Sequence, residues 1–121
     1  MANMTSGRVY IRQPFAASVV SGTKRIETAH MRLPARFALT WLDVQTEQRE
    51  VVGRVMFNGC THWHTADAFD TDYVRHHVAP GSPFHFNNRR STFGWWVYAF
   101  EPYAESKPMP PMRSQFRLEL Y

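Results

Sequence analysis

Short segments with β-strand character recur along this chain, and each of them is bounded by a proline, a glycine or a polar turn. The predicted strands are residues 8–12, 25–29, 37–44, 50–58, 93–100 and 115–121. Alternating polar and apolar residues, or a dense aromatic and β-branched run, mark each of them. Five or six short strands in a chain of 121 residues indicate one small, mixed β-barrel.

Two short helices interrupt the predicted strands. Residues 14–21 begin with Pro14, which suits the first turn of a helix, and Gly22 fits the left-handed position that ends one. Residues 65–78 repeat charged and apolar side chains at helical spacing and stop at an Ala-Pro-Gly turn. Gly53, inside the fourth strand, predicts a bulge or a close approach of two backbones, and residues 107–111 (KPMPP) predict an extended connector.

Length and composition are those of one ordinary domain. Hydrophobic residues make up 44% of the chain and aromatic residues 15%, which is enough for a packed core. We expect a flexible leader over residues 1–7 and a single domain over residues 8–121.

The charge and the cysteine content narrow the possible partners and locations. Fourteen basic residues against ten acidic ones give a net charge of +4, which permits an anionic partner without requiring one. Cys60 is the only cysteine, so a framework of intramolecular disulfides is excluded. The chain starts without the features of a secretion signal and holds no apolar run of membrane-spanning length. We therefore expect a cytoplasmic protein that does not bind a membrane.

Several motifs follow one another in a recognisable order. They are residues 11–16 (IRQPFA), 22–29 (GTKRIETA), 32–36 (RLPAR), 93–96 (FGWW) and 107–110 (KPMP). This order resembles the ASCH domain, a branch of the PUA-like superfamily, from about residue 8 to about residue 111. The resemblance implies an α+β fold, a small PUA-like mixed β-barrel of five to six strands with two or three short helices.

The resemblance also implies recognition of RNA or nucleosides. Some members of the family are similar to small nucleic-acid enzymes, including ribonucleases and an amidohydrolase that removes an acyl group from a modified cytidine. In the amidohydrolase-like members, the lysine of the Gly-x-Lys-x-x-Glu signature is the proposed base, and a polar residue three positions later assists it. The matching positions here are Lys24 and Glu27, which makes them the candidate catalytic residues.

Three positions depart from the family pattern. Ala29 replaces the signature arginine, Met31 replaces an aromatic residue, and Phe37 replaces a small residue. A nearby basic side chain could supply the missing cation; the candidates are His30, Arg32 and Arg36.

Elementary chemistry limits what Lys24 and Glu27 can do together. Burial and neighbouring cations, for which Arg25 and Arg32 are candidates, would lower the pKa of Lys24 and make it a better base. Residues three apart on a regular strand point to opposite faces. The two side chains can therefore share a site only if Lys24 lies in a turn before the strand, which Gly22 makes plausible, or if a bulge intervenes.

Further candidates surround this segment. Substrate-binding side chains are predicted to be Arg12, Gln13, Phe15, His30, Arg32, Arg36 and Trp95. Of the adjacent Trp95 and Trp96, one should face the core and the other should be partly exposed or line a cavity, because neighbours on a strand point to opposite faces. Arg89 and Arg90 lie in a polar loop and are predicted to contact phosphate.

Neither a metal nor a cofactor is expected. Cys60, His62 and His64 alternate in a way that would place them on one face of a strand, but a fourth ligand is not evident. Scattered polar histidines account better for this pattern.

Three functions remain open at this point. The first is an RNA- or nucleoside-binding module whose cleft is lined by the Gly-x-Lys-x-x-Glu segment. The second is a small hydrolase that acts on an acylated pyrimidine nucleoside or on RNA, with Lys24 as its base. The third is a protein-interaction domain whose pocket has decayed.

Overall fold

A computed structural model of the protein describes residues 4–113 and 117–121. This part of the chain forms one six-stranded sheet with three short α-helices and one turn of 3-10 helix. The strands are β1 Gly7–Tyr10, β2 Ile26–Ala29, β3 Leu42–Gln45, β4 Glu50–Trp63, β5 Thr92–Pro108 and β6 Leu118–Leu120. The α-helices are α1 Phe15–Val20, α2 Ala66–Thr71 and α3 Tyr73–His76, and the 3-10 turn is Ala35–Phe37.

The sheet is mixed and curls into a half-barrel. Its strand order is β2-β5-β4-β3-β1-β6, in which β1 and β3 run parallel and the other neighbours run antiparallel. Register shifts in the long β4–β5 pair, near Gly53 and again near Phe57, bend and twist these two strands. The predicted small α+β barrel of the PUA-like type is confirmed.

The curl brings the two edge strands, β2 and β6, towards each other. Arg117, immediately before β6, donates from Nη1 to the carbonyl oxygen of Thr28 on β2 at 2.6 Å. Its Nε donates to the carbonyl oxygen of Tyr10 at the end of β1 at 3.0 Å. One guanidinium therefore spans the gap between the two edges.

Two apolar clusters stabilise this arrangement. The larger one lies between α1 and the sheet and includes the fully buried rings of Phe57 and Trp95. The smaller one consists of Ile26, Trp63, Phe69 and Val78. Since Phe69 belongs to α2, this smaller cluster attaches the two helices between β4 and β5 to the sheet.

The prediction of a strand over residues 37–44 is wrong for the first residues of that range. The chain instead forms the 3-10 turn and then adopts a positive φ of 55° at Leu39, which interrupts extended backbone, so β3 begins only at Leu42. The predicted helix over residues 65–78 is two helices that meet at Asp72. Residues 107 and 108 of the predicted connector are the last residues of β5.

Other predictions about the strands hold. Trp95 is fully buried while Trp96 is partly exposed, as the alternation along β5 predicts. A Cβ atom at Gly53 would lie 2.5 Å from the carbonyl oxygen of Glu101, so the close backbone approach is confirmed. Residues 1–3 of the predicted leader and 115–116 of the predicted last strand lie outside the described residues, and Gly7 already begins β1. No helix in residues 4–113 and 117–121 is long and apolar enough to cross a membrane.

Candidate functional site

Lys24 lies in the turn between α1 and β2, as the sequence required for a shared site. Gly22 adopts a φ of +85°, which ends α1, and the backbone N–H of Lys24 then donates to the carbonyl oxygen of Ser18 at 3.0 Å. β2 starts only at Ile26, so the alternation of side chains between the two faces of a strand does not apply to Lys24. Its Nζ lies 3.8 Å from Oε1 of Glu27, and the two side chains form an ion pair.

The ammonium group of Lys24 is enclosed by protein. Its side chain is 0% exposed, Nζ donates to the backbone carbonyl oxygen of His76, and the ring centroid of Phe15 lies 4.8 Å from Nζ. Burial lowers the pKa of Lys24 from an ordinary 10.5 to about 8; Glu27 opposes this shift, and the positive charge of Arg117 adds to it. Lys24 therefore releases its proton at a lower pH than an ordinary lysine does.

Glu27 lies between two cations. Nη2 of Arg117 donates to its Oε2, and Lys24 faces its Oε1. Oε1 is buried and accepts no hydrogen bond from the residues that the structure describes. Arg117 also lies over the ring of Trp95, at 5.3 Å from the ring centroid. We refer to Lys24, Glu27 and Arg117 as the charged cluster.

Arg117 is the cation beside Glu27, and sequence reasoning missed it. The alternatives named from the sequence lie elsewhere: Nδ1 of His30 is 3.1 Å from the carbonyl oxygen of Ser91, Arg32 lies over Phe93, and Arg36 lies over Phe37. The charge that helps to lower the pKa of Lys24 likewise comes from Arg117 and not from Arg25 or Arg32. Ninety positions separate Arg117 from Glu27, so no local motif could have indicated the pair.

Of the side chains at the start of α1, some lie near the charged cluster and one bonds to the backbone of the helix. The ring of Phe15, which faces Lys24, also meets the ring of Phe84 edge-on at 5.9 Å. The guanidinium of Arg12 lies 5.7 Å from the ring centroid of Phe84. Oε1 of Gln13 instead accepts the backbone N–H of Ala17 at 3.0 Å and so caps the first turn of α1.

Arg89 and Arg90 lie apart from the charged cluster, in an open hollow of about 330 Å³ between the end of β4 and the loop that precedes β5. We call it the histidine hollow. Its lining residues are His62, Trp63, His64, Phe86, Asn88, Arg89, Arg90 and Ser91. The ring of His62 stacks on Phe93 with centroids 4.2 Å apart and approaches the ring of His64 at 4.0 Å.

Cys60 does not join these two histidines in a metal site. Its Sγ lies 3.7 Å from the carbonyl oxygen of Thr61. Among residues 4–113 and 117–121, no group of three His, Cys, Asp or Glu side chains could hold a metal ion.

Known structures show the same architecture. A serine-to-alanine mutant of ZmASCH from Zymomonas mobilis aligns with a TM-score of 0.75 at 13% identity, over 100% of this chain and 91% of that one. A tyrosine-to-phenylalanine mutant of ZmASCH gives 0.74 at 12% identity, over 98% and 91%. ASCH from Zymomonas mobilis gives 0.71 at 15% identity, over 95% and 86%.

Sequence comparison alone finds no relative: no protein-family profile matches the chain, and no curated protein matches it. At 12–15% identity the structural likeness concerns the fold. It spans nearly the whole of both chains, and it agrees with the motif order of residues 8–111. The chain therefore has the ASCH-like fold, a small α+β barrel of the PUA-like type.

Proposed function

We propose that residues 8–121 form a single cytoplasmic domain that binds single-stranded RNA or a nucleoside and holds one base against the charged cluster. The observation that carries this proposal is the unused acceptor of Glu27. Its Oε1 is buried, faces Nζ of Lys24 at 3.8 Å and accepts no hydrogen bond from the described residues. An N–H group on the edge of a base is a donor that would satisfy it.

In this proposal, the ligand approaches Oε1 of Glu27 from the side of Arg117. Arg117 is 28% exposed, whereas Lys24 and Glu27 are almost completely buried, so a ligand would have to reach the carboxylate past the guanidinium. The guanidinium is planar and lies over the ring of Trp95, an arrangement that offers a base a flat surface for stacking. The ASCH-like fold supports the same proposal, because the resemblance implies recognition of RNA or nucleosides.

Three other residues that the sequence predicted to bind substrate have a role in this proposal. Arg12 and Arg36 are exposed, and we assign them to the phosphates of a bound strand. Phe15 closes the cluster on the side of Lys24, so its ring limits how deeply a base can enter.

The test is a binding titration at low ionic strength with short single-stranded RNAs and a panel of nucleosides. Glu27→Gln keeps the shape of the side chain but replaces one acceptor oxygen with a donor amide. We expect this variant to lose about tenfold or more in affinity for the preferred ligand, which corresponds to one hydrogen bond of about 1.4 kcal/mol. Binding of RNA should also weaken as salt is raised.

A matched control separates the local effect from a general loss of charge. Lys24 and Lys107 are the two lysines of the chain, so Lys24→Met and Lys107→Met remove the same charge from the charged cluster and from the exposed end of β5. We expect only the first to weaken binding. If no RNA or nucleoside binds, or if Glu27→Gln binds as the wild type does, the charged cluster is a structural ion-pair network and the proposal is wrong.

A hydrolase is the second candidate, and the lowered pKa of Lys24, about 8, favours it. The neutral amine could take a proton from a water that attacks the acyl carbon of an acylated pyrimidine nucleoside, or from the 2′-hydroxyl of RNA. Glu27 would then accept that proton from the ammonium of Lys24 and pass it to the leaving group. We expect an activity that rises with pH around 8 and disappears in Lys24→Arg. Unchanged turnover of nucleoside amides and RNA by Lys24→Met would exclude this mechanism, with Lys107→Met as the control.

A further inference from the structure

The histidine hollow gathers positive charge without a carboxylate to balance it. Arg89 and Arg90 come from the loop before β5, and His62 and His64 come from the end of β4. None of the described residues that line the hollow is acidic. Such a concentration of cationic and cation-forming groups attracts an anion.

The environment of His62 disfavours its charged form. Partial burial lowers the pKa of His62, and the neighbouring His64 and the guanidinium of Arg32 lower it further. The described groups that contact or act on this imidazole are cationic or neutral: Arg32 on the loop after β2, His64 next to the end of β4 and Phe93 on β5. Arg89 and Arg90 line the same hollow. An anion bound among them would favour the charged imidazole, so binding would take up a proton.

Aromatic rings restrict the kind of anion. His62 is held in place by its stack on Phe93, with an angle of 24° between the ring planes. The rings of Phe86 and His64 are partly or largely exposed and also line the hollow. A ligand with both a negative charge and a flat ring uses both kinds of lining, and a nucleotide is such a ligand.

We propose that the histidine hollow is a second nucleotide site, in which Arg89, Arg90 and the two imidazoles hold a phosphate of an RNA strand. The base of that nucleotide stacks on an aromatic ring of the lining. The hollow shares no residue with the charged cluster. Only the identity of the ligand as RNA rests on the proposed function, since the binding of phosphate can be tested by itself.

The test uses the full chain and three small probes: inorganic phosphate, ribose 5-phosphate and a nucleoside 5′-monophosphate. Arg89→Gln/Arg90→Gln removes two charges from the hollow, and Arg25→Gln/Arg49→Gln removes two exposed charges elsewhere. In titrations followed by nuclear magnetic resonance, we expect the first double variant to lose roughly tenfold or more in affinity for the nucleotide. The control variant Arg25→Gln/Arg49→Gln should change the affinity for the nucleotide by less than about twofold. The nucleotide should bind more tightly than ribose 5-phosphate.

A short RNA then tests the role of the imidazoles, because phosphodiesters do not titrate between pH 6 and pH 8. We expect its affinity to increase roughly threefold or more when the pH falls from 8 to 6. His62→Phe keeps an aromatic ring on Phe93 and should remove a large part of this increase.

The outcomes distinguish this site from the charged cluster. Loss of nucleotide binding in Arg89→Gln/Arg90→Gln, together with retention in Glu27→Gln, supports the histidine hollow even if the proposed function fails. Equal losses in the two double variants would mean that binding follows net charge alone and would overturn the proposal. Equal affinity for ribose 5-phosphate and the nucleotide would overturn the assignment of the ligand.

Discussion

Replacing Lys24 with methionine should change how the stability of the domain depends on pH. Methionine fills a similar volume without a charge, so it removes the titrating group while it keeps most of the packing. The side chain is 0% exposed, which means that solvent does not screen the effect at the surface. We therefore predict a specific difference between the wild type and Lys24→Met at alkaline pH.

The magnitude follows from the pKa of Lys24, which is lowered from 10.5 to about 8. Between these values the unfolded chain holds the proton of Lys24 and the folded protein has released it, so stability increases as the pH rises. Because one pKa unit corresponds to 1.36 kcal/mol, the wild type should gain about 2 kcal/mol between pH 8 and pH 10 relative to the variant. For a domain of this size that is a relative shift of about 6–10 °C in Tm.

Two tyrosines could obscure this effect in the wild type alone. Burial and the carboxylate of Asp43 raise the pKa of Tyr103 and of Tyr121, and both hydroxyls donate to Asp43. A raised pKa stabilises the fold below pH 10 and loses this contribution above it. Both proteins carry the same tyrosines, so their contribution cancels in the difference.

The assay is urea unfolding of both proteins at intervals from pH 7 to pH 10, followed by tryptophan fluorescence. Lys107→Met, measured in parallel, should follow the wild type more closely than Lys24→Met does. If the difference in unfolding free energy between the wild type and Lys24→Met stays constant within about 0.5 kcal/mol, Lys24 has no depressed pKa. The hydrolase mechanism would then lose its physical basis.

Three further changes test other parts of the fold and site. Thr65→Ala removes the hydroxyl that caps the first turn of α2 and should cost about 1 kcal/mol in urea unfolding; no loss would mean that this cap is dispensable. Gly53→Ala places a Cβ 2.5 Å from the carbonyl oxygen of Glu101 and should cost about 1–3 kcal/mol by the same measurement, whereas an unchanged midpoint would contradict the close approach. Arg117→Gln removes a repelling charge and should raise the pKa of Lys24 in a titration of isotope-labelled lysine, with Lys107→Met used to assign the two signals; an unchanged or lower pKa would contradict the arrangement of the charged cluster.

Local features of the fold could be predicted from the sequence. Pro14 and Gly22 delimit α1 correctly within one or two residues, and the alternation of Trp95 and Trp96 indicates which ring is buried. The errors occur where nonlocal contacts decide the conformation. Leu39, within an apolar run, adopts a positive φ and its N–H donates to the carbonyl oxygen of Phe57 on β4, a contact that no local pattern specifies.

The local part of the candidate site could likewise be predicted from the sequence, whereas its nonlocal contacts could not. Lys24 and Glu27 are three residues apart, so a turn before the strand was enough to place them together, and Gly22 indicated that turn. Their surroundings could not be predicted, because the contacts come from α3 and from the residue before β6. The carbonyl oxygen of His76 and the guanidinium of Arg117 come from positions 52 and 90 residues away in the sequence from their partners in the cluster.

Arg117 places a cation beside Glu27 from a distant part of the chain. Position 29 holds an alanine that is 4% exposed and packs in the larger apolar cluster. Glu27 needs counter-charges, since a buried carboxylate is costly without them. Lys24 supplies one, and the opposite edge of the sheet supplies the other through Arg117, whose guanidinium also bonds to the carbonyl oxygens of Thr28 and Tyr10. The same guanidinium therefore connects the two edges of the sheet and belongs to the charged cluster, so a change at Arg117 must be tested for folding before any loss of binding is assigned to the site.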